Sequence, residues 1–302
     1  MKTIYIHIGI GKTGTSSVQE FFFNNREEFA RQGVYYPLTG IAEYAHHGLA
    51  LFQSPEMPEG VEALYKNLKR EISLSSANSV FISSEQFCFL KKPYVSKVKE
   101  MFSEFPVKII FYVRDQCKLI ESTYLEWQKA GLDYKGSIEN FYNQEKKGFD
   151  FTLRLQFWIE EFGAENIVVR VYDKRIIGDD TCHDVMKLLK LETNNNITGR
   201  NIRSNPSLLP EFSNLLCILD QEKIQLAHRR QIIHELLALS KTFKSASTVR
   251  LIPLELREQI KKFYKLSNQA IAKQFLNEEE SKILLNPESV FPAPGTKPNV
   301  MI

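Results

Sequence analysis

The sequence predicts an α/β fold in which a central, mostly parallel sheet is flanked by helices. Two observations support this prediction. Short and nearly continuous apolar runs, rich in β-branched residues, recur along the first 171 residues, as the buried strands of a parallel sheet require. Helical patterns of about 10–15 residues alternate with these runs, which is typical of β–α–β units. Additional helices are predicted in the C-terminal third.

Four apolar runs are predicted to be strands, at residues 3–9, 80–83, 107–113 and 167–171. The third is the clearest, because its residues are mostly apolar, β-branched or aromatic and it ends abruptly at Arg114 and Asp115. Helices are predicted between and after the strands, at residues 15–32, 61–74, 91–102, 118–130, 151–162 and 254–276. Thr15 or Ser16 is expected to cap the first helix, and Gly33 to end it.

The chain is interpreted as a single domain, since no linker divides its 302 residues. Its parts are a core over about residues 1–210, a helical region over about 211–276 and an extended tail over 277–302. The tail is predicted to be extended because it holds four prolines and shows little periodicity.

Composition excludes several classes of protein. The net charge of +3, from 39 basic and 36 acidic side chains, is too small to indicate nucleic acid as a partner. No apolar run approaches the roughly 18 residues of a transmembrane helix, and no signal peptide is recognisable. The four cysteines are scattered, which favours reduced thiols and a cytoplasmic location. The histidines lack the spacing of metal ligands, so no metal site is predicted.

A glycine-rich loop between the first strand and the first helix is the strongest functional signal. Backbone N–H groups at a helix start, supported by the helix dipole, form a site for a phosphate. A lysine at this place can reach a bridging or leaving oxygen. The residues predicted to bind phosphate are Gly11, Lys12, Thr13, Gly14, Thr15, Ser16 and Ser17.

The loop is too short to be a Walker A motif, because the first glycine of that motif would fall at Ile6, inside the strand. A second anion-binding pair follows the strand at 107–113. Arg114 stands at the strand end and Ser122 lies eight residues later in the next helix. A guanidinium fork and a hydroxyl in these positions can bind one dianion beside the sheet.

Together, the loop and the Arg114–Ser122 pair resemble the sulfotransferases that use 3′-phosphoadenosine 5′-phosphosulfate (PAPS), over about residues 3–210. The resemblance implies a P-loop-like sulfotransferase fold, with the loop on the 5′-phosphosulfate and Arg114 and Ser122 on the 3′-phosphate. It further implies that Tyr172 lies near the adenine and that Arg203 belongs to a basic loop over the nucleotide. The product of PAPS would be 3′,5′-adenosine bisphosphate (PAP), and no metal would be needed.

The sequence departs from the cytosolic animal members of that family. Ser16, Ser17 and Val18 stand where those members carry a tryptophan against the adenine, and an R-K-G motif near the C-terminal end is missing. Both departures favour a bacterial type acting on a carbohydrate, a glycolipid or a small metabolite.

Sulfuryl transfer to a hydroxyl needs a base for the proton, and three residues are candidates. Glu85 closely follows the strand at 80–83, so it should lie at the carboxyl edge of the sheet, where open α/β folds bind ligands. His46 and His47 follow the first helix, and a neutral imidazole is a suitable base near neutral pH. Two other functions are considered: a nucleotide or small-molecule kinase with a variant P-loop, and a nucleotide-binding module without catalysis.

Overall fold

The structure, a computed structural model, describes residues 2–51, 58–129, 134–178, 180–199, 208–221, 224–242 and 251–287. The chain divides into two compact units. The first comprises Met1–Arg114, Phe151–Ser204 and Ala270–Ile283, and the second comprises Asp115–Asp150, Asn205–Gln269 and Leu284–Ile302. Folding as one domain stays a prediction.

The first unit contains a five-stranded sheet in which all the strand pairs are parallel. Its strands are β1 (Thr3–His7), β2 (Val34–Tyr35), β3 (Ser79–Ser83), β4 (Val107–Val113) and β5 (Ile167–Val171). They lie in the order β2-β3-β1-β4-β5. The prediction of an α/β fold with a central parallel sheet is therefore confirmed. The central strand β1 pairs with β3 on one side and β4 on the other, so Ile4 lies opposite both Val80 and Val107.

Four of the strands lie where the apolar runs predicted them. The first ends two residues early, at His7 instead of Gly9, because the chain leaves the strand to form the glycine-rich loop. The second strand, Val34–Tyr35, was not predicted, since two residues are too few to show a periodic pattern.

Helices surround the sheet in the first unit and form the second unit. In chain order they are α1 (Thr15–Asn24), α2 (Arg26–Arg31), α3 (Pro58–Leu74), α4 (Lys92–Met101), α5 (Gln116–Lys129), α6 (Ile138–Glu145), α7 (Phe151–Phe162), α8 (Lys174–Ile177), α9 (Thr181–Leu188), α10 (Pro210–Gln221), α11 (Leu226–Thr242), α12 (Leu254–Phe275) and α13 (Glu278–Leu285). Short 3-10 helices at His47–Ala50 and Glu85–Phe89 carry two of the candidate site segments.

The predicted first helix is in fact two helices. The chain breaks at Asn25, whose side-chain amide donates to the carbonyl of Phe21 and whose oxygen accepts from the backbone N–H of Thr198. The prediction of a Thr15 or Ser16 cap was wrong, because the N-cap residue of α1 is Gly14. A side-chain cap is thus missing at the helix start that was predicted to bind phosphate.

The prediction of an extended tail was wrong for its first part. Residues Glu278–Leu285 form α13, and Asn277 and Glu280 make reciprocal contacts between side chain and backbone at its start, 2.9 and 3.5 Å long. This is the geometry of a capping box. The three glutamates of the first turn also suit the positive end of the helix dipole. The last residues of the tail, 288–302, lie outside the described residues.

An aromatic core fixes α1 against the sheet. Phe21 and Phe22 of α1 are buried with Phe81 of β3, and the rings of Phe22 and Phe81 lie 4.5 Å apart. Both phenylalanines belong to the buried core of the first unit. Because α1 is held along its length, its first turn is fixed at the carboxyl edge of β1.

A largely buried ionic cluster joins four elements of the first unit. Arg170 of β5 donates to both carboxylate oxygens of Asp184 on α9 and, at 2.6 Å, to Glu280 on α13. The Tyr112 hydroxyl of β4 donates to the same Asp184 carboxylate at 2.7 Å. These contacts fix the start of α9, which lies beside the glycine-rich loop.

The second unit also has a buried ion pair. Arg229 is fully buried and donates to both carboxylate oxygens of Asp220 and to the carbonyl of Gln128. The buried apolar cluster of the second unit comprises Leu125, Leu208, Leu216, Ile233 and Leu236. Among the described helices, none combines the length and the apolar composition needed to cross a membrane.

Candidate active site

The candidate site lies at the carboxyl edge of the sheet in the first unit. The loop of residues 8–14 leaves β1, whose onward connection runs to β2 at one edge of the sheet, whereas the chain that leaves the neighbouring β4 runs to β5 at the other edge. Crevices at such switch points are where open α/β sheets bind ligands. Glu85 follows the end of β3 and Arg114 the end of β4, so both leave the sheet at the same edge as the loop.

The loop turns sharply before α1. Lys12 and Gly14 both have left-handed backbone angles, with φ of 68° and 81°. The Thr13 hydroxyl is buried and donates to the carbonyl of Ile10 at 2.6 Å, which closes the turn from within. A left-handed lysine is strained, and such strain is typical of ligand-binding turns.

Two glycines of the loop are required by close contacts. A Cβ at Gly9 would stand 2.5 Å from a methyl carbon of Thr15, and a Cβ at Gly14 would stand 2.6 Å from the Thr181 hydroxyl. Since Gly14 is the N-cap residue and has no side chain, α1 begins without a side-chain cap. The start of a ten-residue helix in this state can bind an anion.

Arg114 and Tyr172 lie against this loop. The Arg114 guanidinium donates to the carbonyl of Lys12 at 2.6 Å, and its central carbon lies 5.2 Å from the ring centre of Tyr172. The Tyr172 ring in turn is 3.2 Å from the position of a Cβ on Gly14. The structure therefore brings together three residues that the sequence separates by up to 160 positions: Lys12, Arg114 and Tyr172.

Thr181, at the start of α9, is a member of this group that the sequence did not reveal. It is 7% exposed, and its hydroxyl faces the loop at Gly14. Its position follows from the Arg170–Asp184 contacts that hold α9, and these have no local sequence signal.

Ser122 and Arg203 are the remaining residues that were predicted to bind the nucleotide. Ser122 lies on α5, which belongs to the second unit. Arg203 lies outside the described residues. The roles of both stay predictions.

Glu85 is half-buried at the start of the 3-10 helix Glu85–Phe89. Ser84 caps that helix, because its hydroxyl accepts from the backbone N–H of Gln86 at 3.2 Å. One carboxylate oxygen of Glu85, Oε2, accepts from the side-chain amide of Gln19 at 2.9 Å. The carboxylate is therefore oriented by α1 as well as by its own helix.

The two histidines differ in their surroundings. His46 is fully buried, its Nε2 lies 2.9 Å from the carbonyl of Pro37, and its Nδ1 accepts from the backbone N–H of Ser83 at 3.1 Å. Burial lowers the pKa of His46 to about 4. Both ring nitrogens of His46 are thus engaged by the backbone, which favours a structural role over that of a base. His47 is half-buried, and its Nδ1 lies 2.8 Å from the Ser84 hydroxyl.

Behind Glu85 lies a buried polar group that sequence reasoning missed. His7, Ser83 and Gln19 are 0%, 0% and 4% exposed. The Ser83 hydroxyl lies 2.9 Å from Nδ1 of His7 and 3.4 Å from the Gln19 amide nitrogen. Burial lowers the pKa of His7 to about 4, so the imidazole is neutral at neutral pH. The available signal was the presence of three polar residues inside otherwise apolar elements.

Comparison with known proteins identifies no family. No protein-family model matches the chain. An uncharacterized protein of Archaeoglobus fulgidus is 24% identical over 216 residues, which are 70% of this chain and 58% of that protein. The chain thus spans less than two thirds of the length of that relative. A solved sulfotransferase from Alicyclobacillus acidocaldarius aligns with 93% of this chain and 99% of its own, at 14% identity and a TM-score of 0.44. A likeness at that level carries no conclusion about this chain.

Proposed function

We propose that this protein transfers a sulfuryl group from PAPS to a hydroxyl or amine of an acceptor, which is a carbohydrate, a glycolipid or a small metabolite. The observation that supports this best is the contact between Arg114 and the carbonyl of Lys12. This contact joins the Arg114 cation, which follows β4, to the loop before α1, which follows β1. The cation and the N-terminus of α1 can therefore bind one anionic ligand together. A donor with phosphates at both its 5′ and its 3′ positions needs two such anion-binding elements close together.

In the proposed reaction the acceptor oxygen or nitrogen attacks the sulfur of PAPS. A bond forms between that atom and sulfur, and the bond from sulfur to the bridging oxygen breaks. The bridging oxygen leaves with the electron pair as part of the 5′-phosphate of PAP. Lys12 and the first N–H groups of α1 stabilise the charge on that phosphate. Glu85 takes the proton of the acceptor.

The nucleotide portion is assigned to the other residues of the site. Arg114 binds the 3′-phosphate together with Ser122, and Tyr172 contacts the adenine. The stacking of the Arg114 guanidinium on the Tyr172 ring supports this assignment, because it orders the guanidinium before the ligand binds. Arg203 is proposed to lie in a loop over the nucleotide.

The Thr13 hydroxyl argues against the alternative of a P-loop kinase. In a Walker A motif the hydroxyl that follows the lysine binds magnesium. Here the corresponding hydroxyl is buried and donates inward to the carbonyl of Ile10. The loop also lacks the first glycine of that motif, whose place is taken by Ile6 within β1.

Ligand-dependent melting distinguishes the candidate functions. A ligand that binds only the folded protein raises its Tm. We expect PAP to raise the Tm by several degrees in the presence of EDTA, and ATP with magnesium to raise it less. Stabilisation by ATP with magnesium and not by PAP would favour the kinase instead. If PAP binds but no PAP is released from PAPS with any of a panel of sugars, glycolipids and phenols, the protein is a nucleotide-binding module.

Replacement of Arg114 by Met or of Ser122 by Ala is expected to weaken PAP binding by about 1.5–3 kcal/mol each, the usual value for a hydrogen bond to a charged group. Binding of adenosine 5′-phosphosulfate, which lacks the 3′-phosphate, should change little in Ser122→Ala. In Arg114→Met, which also removes the contact with the carbonyl of Lys12, it should fall less than the binding of PAP. Isothermal titration with both nucleotides measures the difference. Arg175→Met is the matched control, because Arg175 pairs instead with Asp173 after β5. Equal losses for the two nucleotides would contradict the assignment to the 3′-phosphate.

A further inference from the structure

We propose that Gln19 positions Glu85 for proton transfer, and that the buried pair of His7 and Ser83 holds the Gln19 amide in place. This inference rests on the proposed function, in which Glu85 accepts the proton of the acceptor. It concerns three side chains that do not belong to the phosphate loop. All three lie beneath the surface, so their role is to orient Glu85 and not to touch the substrate.

The contact between Gln19 and Glu85 selects one carboxylate oxygen. The amide nitrogen of Gln19 lies 2.9 Å from Oε2 of Glu85 and 3.4 Å from the Ser83 hydroxyl. An amide group has two hydrogens, so it can serve both acceptors at once. With Oε2 engaged by the amide, Oε1 is the oxygen that takes the proton.

The direction of the two hydrogen bonds of Gln19 is fixed by chemistry. The amide nitrogen can only donate, so Glu85 and the Ser83 hydroxyl both accept from it. The Ser83 hydroxyl also lies 2.9 Å from Nδ1 of His7, and the tautomer of the imidazole decides which of these two groups donates. Burial keeps that ring neutral, with its pKa lowered to about 4. A flipped Gln19 amide would break the contacts with Glu85 and with Ser83 at once.

The buried imidazole of His7 lowers the stability of the fold. Its other nitrogen, Nε2, is buried and has no hydrogen-bond partner among the residues that the structure describes. It lies beneath the loop, 3.1 Å from the position of a Cβ on Gly9. An unpartnered buried polar atom destabilises a fold, and stability alone would favour an apolar residue here. The presence of a histidine here is accounted for by the contact of its Nδ1 with Ser83, which in turn contacts the Gln19 amide.

The neighbouring titratable groups determine what a pH profile reports. His46 and His47 approach from the segment before α3, and Tyr36 from the residue after β2. The pKa values of His7 and His46 are about 4, and burial together with the Glu85 charge raises the pKa of Tyr36. Between about pH 5 and 9 these three groups stay neutral. A shift of the acid limb within this range therefore does not come from His7, His46 or Tyr36.

The test compares Gln19→Met with Gln19→Glu. Methionine has nearly the same size but no donor, so we expect kcat to fall about 10- to 100-fold, the range for a lost hydrogen bond to a charged group. The acid limb of kcat should move to higher pH, because the bond to Gln19 favours the charged carboxylate. Gln19→Glu should move it further, since two adjacent carboxylates cannot both ionise. The Kd of PAP should stay within about twofold in both variants.

Two further variants keep the result interpretable. Asn24→Ala alters the exposed end of the same helix and should leave kcat and the pH profile unchanged. Ser83→Ala removes the hydroxyl that contacts the Gln19 amide and leaves Gln19 itself unchanged. It should lower kcat and move the acid limb of kcat to higher pH, each by less than Gln19→Met does. If Gln19→Met does not fold, as judged by its Tm, Ser83→Ala alone decides the question.

Titration of Glu85 provides a readout that does not depend on turnover. In the PAP complex, carbon-13 NMR of glutamate labelled at its side-chain carboxyl should show one resonance that disappears in Glu85→Gln. Its midpoint should rise in Gln19→Met. An unchanged midpoint with unchanged kcat would overturn the role of Gln19 while Glu85 remains the base. Full activity of Glu85→Gln would instead overturn the base assignment, and failure to bind PAP would overturn the proposed function.

Discussion

Replacement of Glu85 by Gln should lower turnover by about 10²–10⁴-fold, the usual contribution of a general base. Glutamine has nearly the same shape and can still contact Gln19, so the site should keep its packing. The Kd of PAP should remain near the wild-type value, because Glu85 lies after β3 and the phosphate loop lies after β1. Steady-state kinetics together with isothermal titration of PAP measure the two quantities separately.

His46→Asn and His47→Asn are the matched comparisons. His46→Asn should lower the Tm, because the imidazole bridges the carbonyl of Pro37 and the N–H of Ser83 inside the fold. Its turnover at a temperature where it is folded should stay close to that of the wild type. His47→Asn tests the second candidate base directly. If it loses turnover while Glu85→Gln does not, the histidine is the base.

The pH profile adds a second criterion. A histidine base is lost as pH falls through about 6.5, and an ordinary glutamate base through about 4.3. His46, with a pKa of about 4 set by burial, cannot produce a limb near 6.5. Burial can raise the pKa of a glutamate, so the profile is read together with the three variants. Near-normal turnover in all three would mean that the proton leaves through another side chain or through water.

The strands were predictable because each carries its own signal. Residues 107–113 and 167–171 are mostly apolar and rich in β-branched residues, and the structure places β4 and β5 within those same bounds. The order of the strands has no such local signal, since it depends on which strands pair across the sheet. The strand β2 and the tail helix α13 depend on packing and on the Asn277 cap, and apolar periodicity does not reveal either.

One part of the candidate site could be predicted from the sequence and another part could not. The phosphate loop is continuous in sequence, so its glycines and lysine were visible together. The group behind Glu85 was not, because His7 is 76 residues from Ser83 and Gln19 is 66 residues from Glu85. His7 and Ser83 meet only because β1 pairs with β3 in a register that sets these two residues side by side. Polar residues in a predicted strand become interpretable once that register is known.

Removal of the Lys12 amine should lower turnover by about 10²–10³-fold, the value for loss of one donor to charge that develops in the transition state. The affinity for PAP should fall far less. A leaving-group contact is strongest when the bond to sulfur is breaking, and PAP has no sulfuryl group to transfer. Single-turnover rates with PAPS and titrations with PAP provide the two numbers.

The test of Lys12 uses two variants, Lys12→Ala and Lys12→Gly, because the backbone of this residue is left-handed. Its φ of 68° is left-handed, which alanine adopts at a cost of about 1–2 kcal/mol and glycine adopts freely. Lys12→Ala and Lys12→Gly should therefore lose turnover alike if the amine is what matters, and only the alanine variant should also lose stability. Lys190→Ala is the matched control, because Lys190 is an exposed lysine with a φ of 57° that lies two residues after the end of α9. Equal losses of turnover and of PAP affinity would show that Lys12 binds the ground state and does not assist departure of the phosphate.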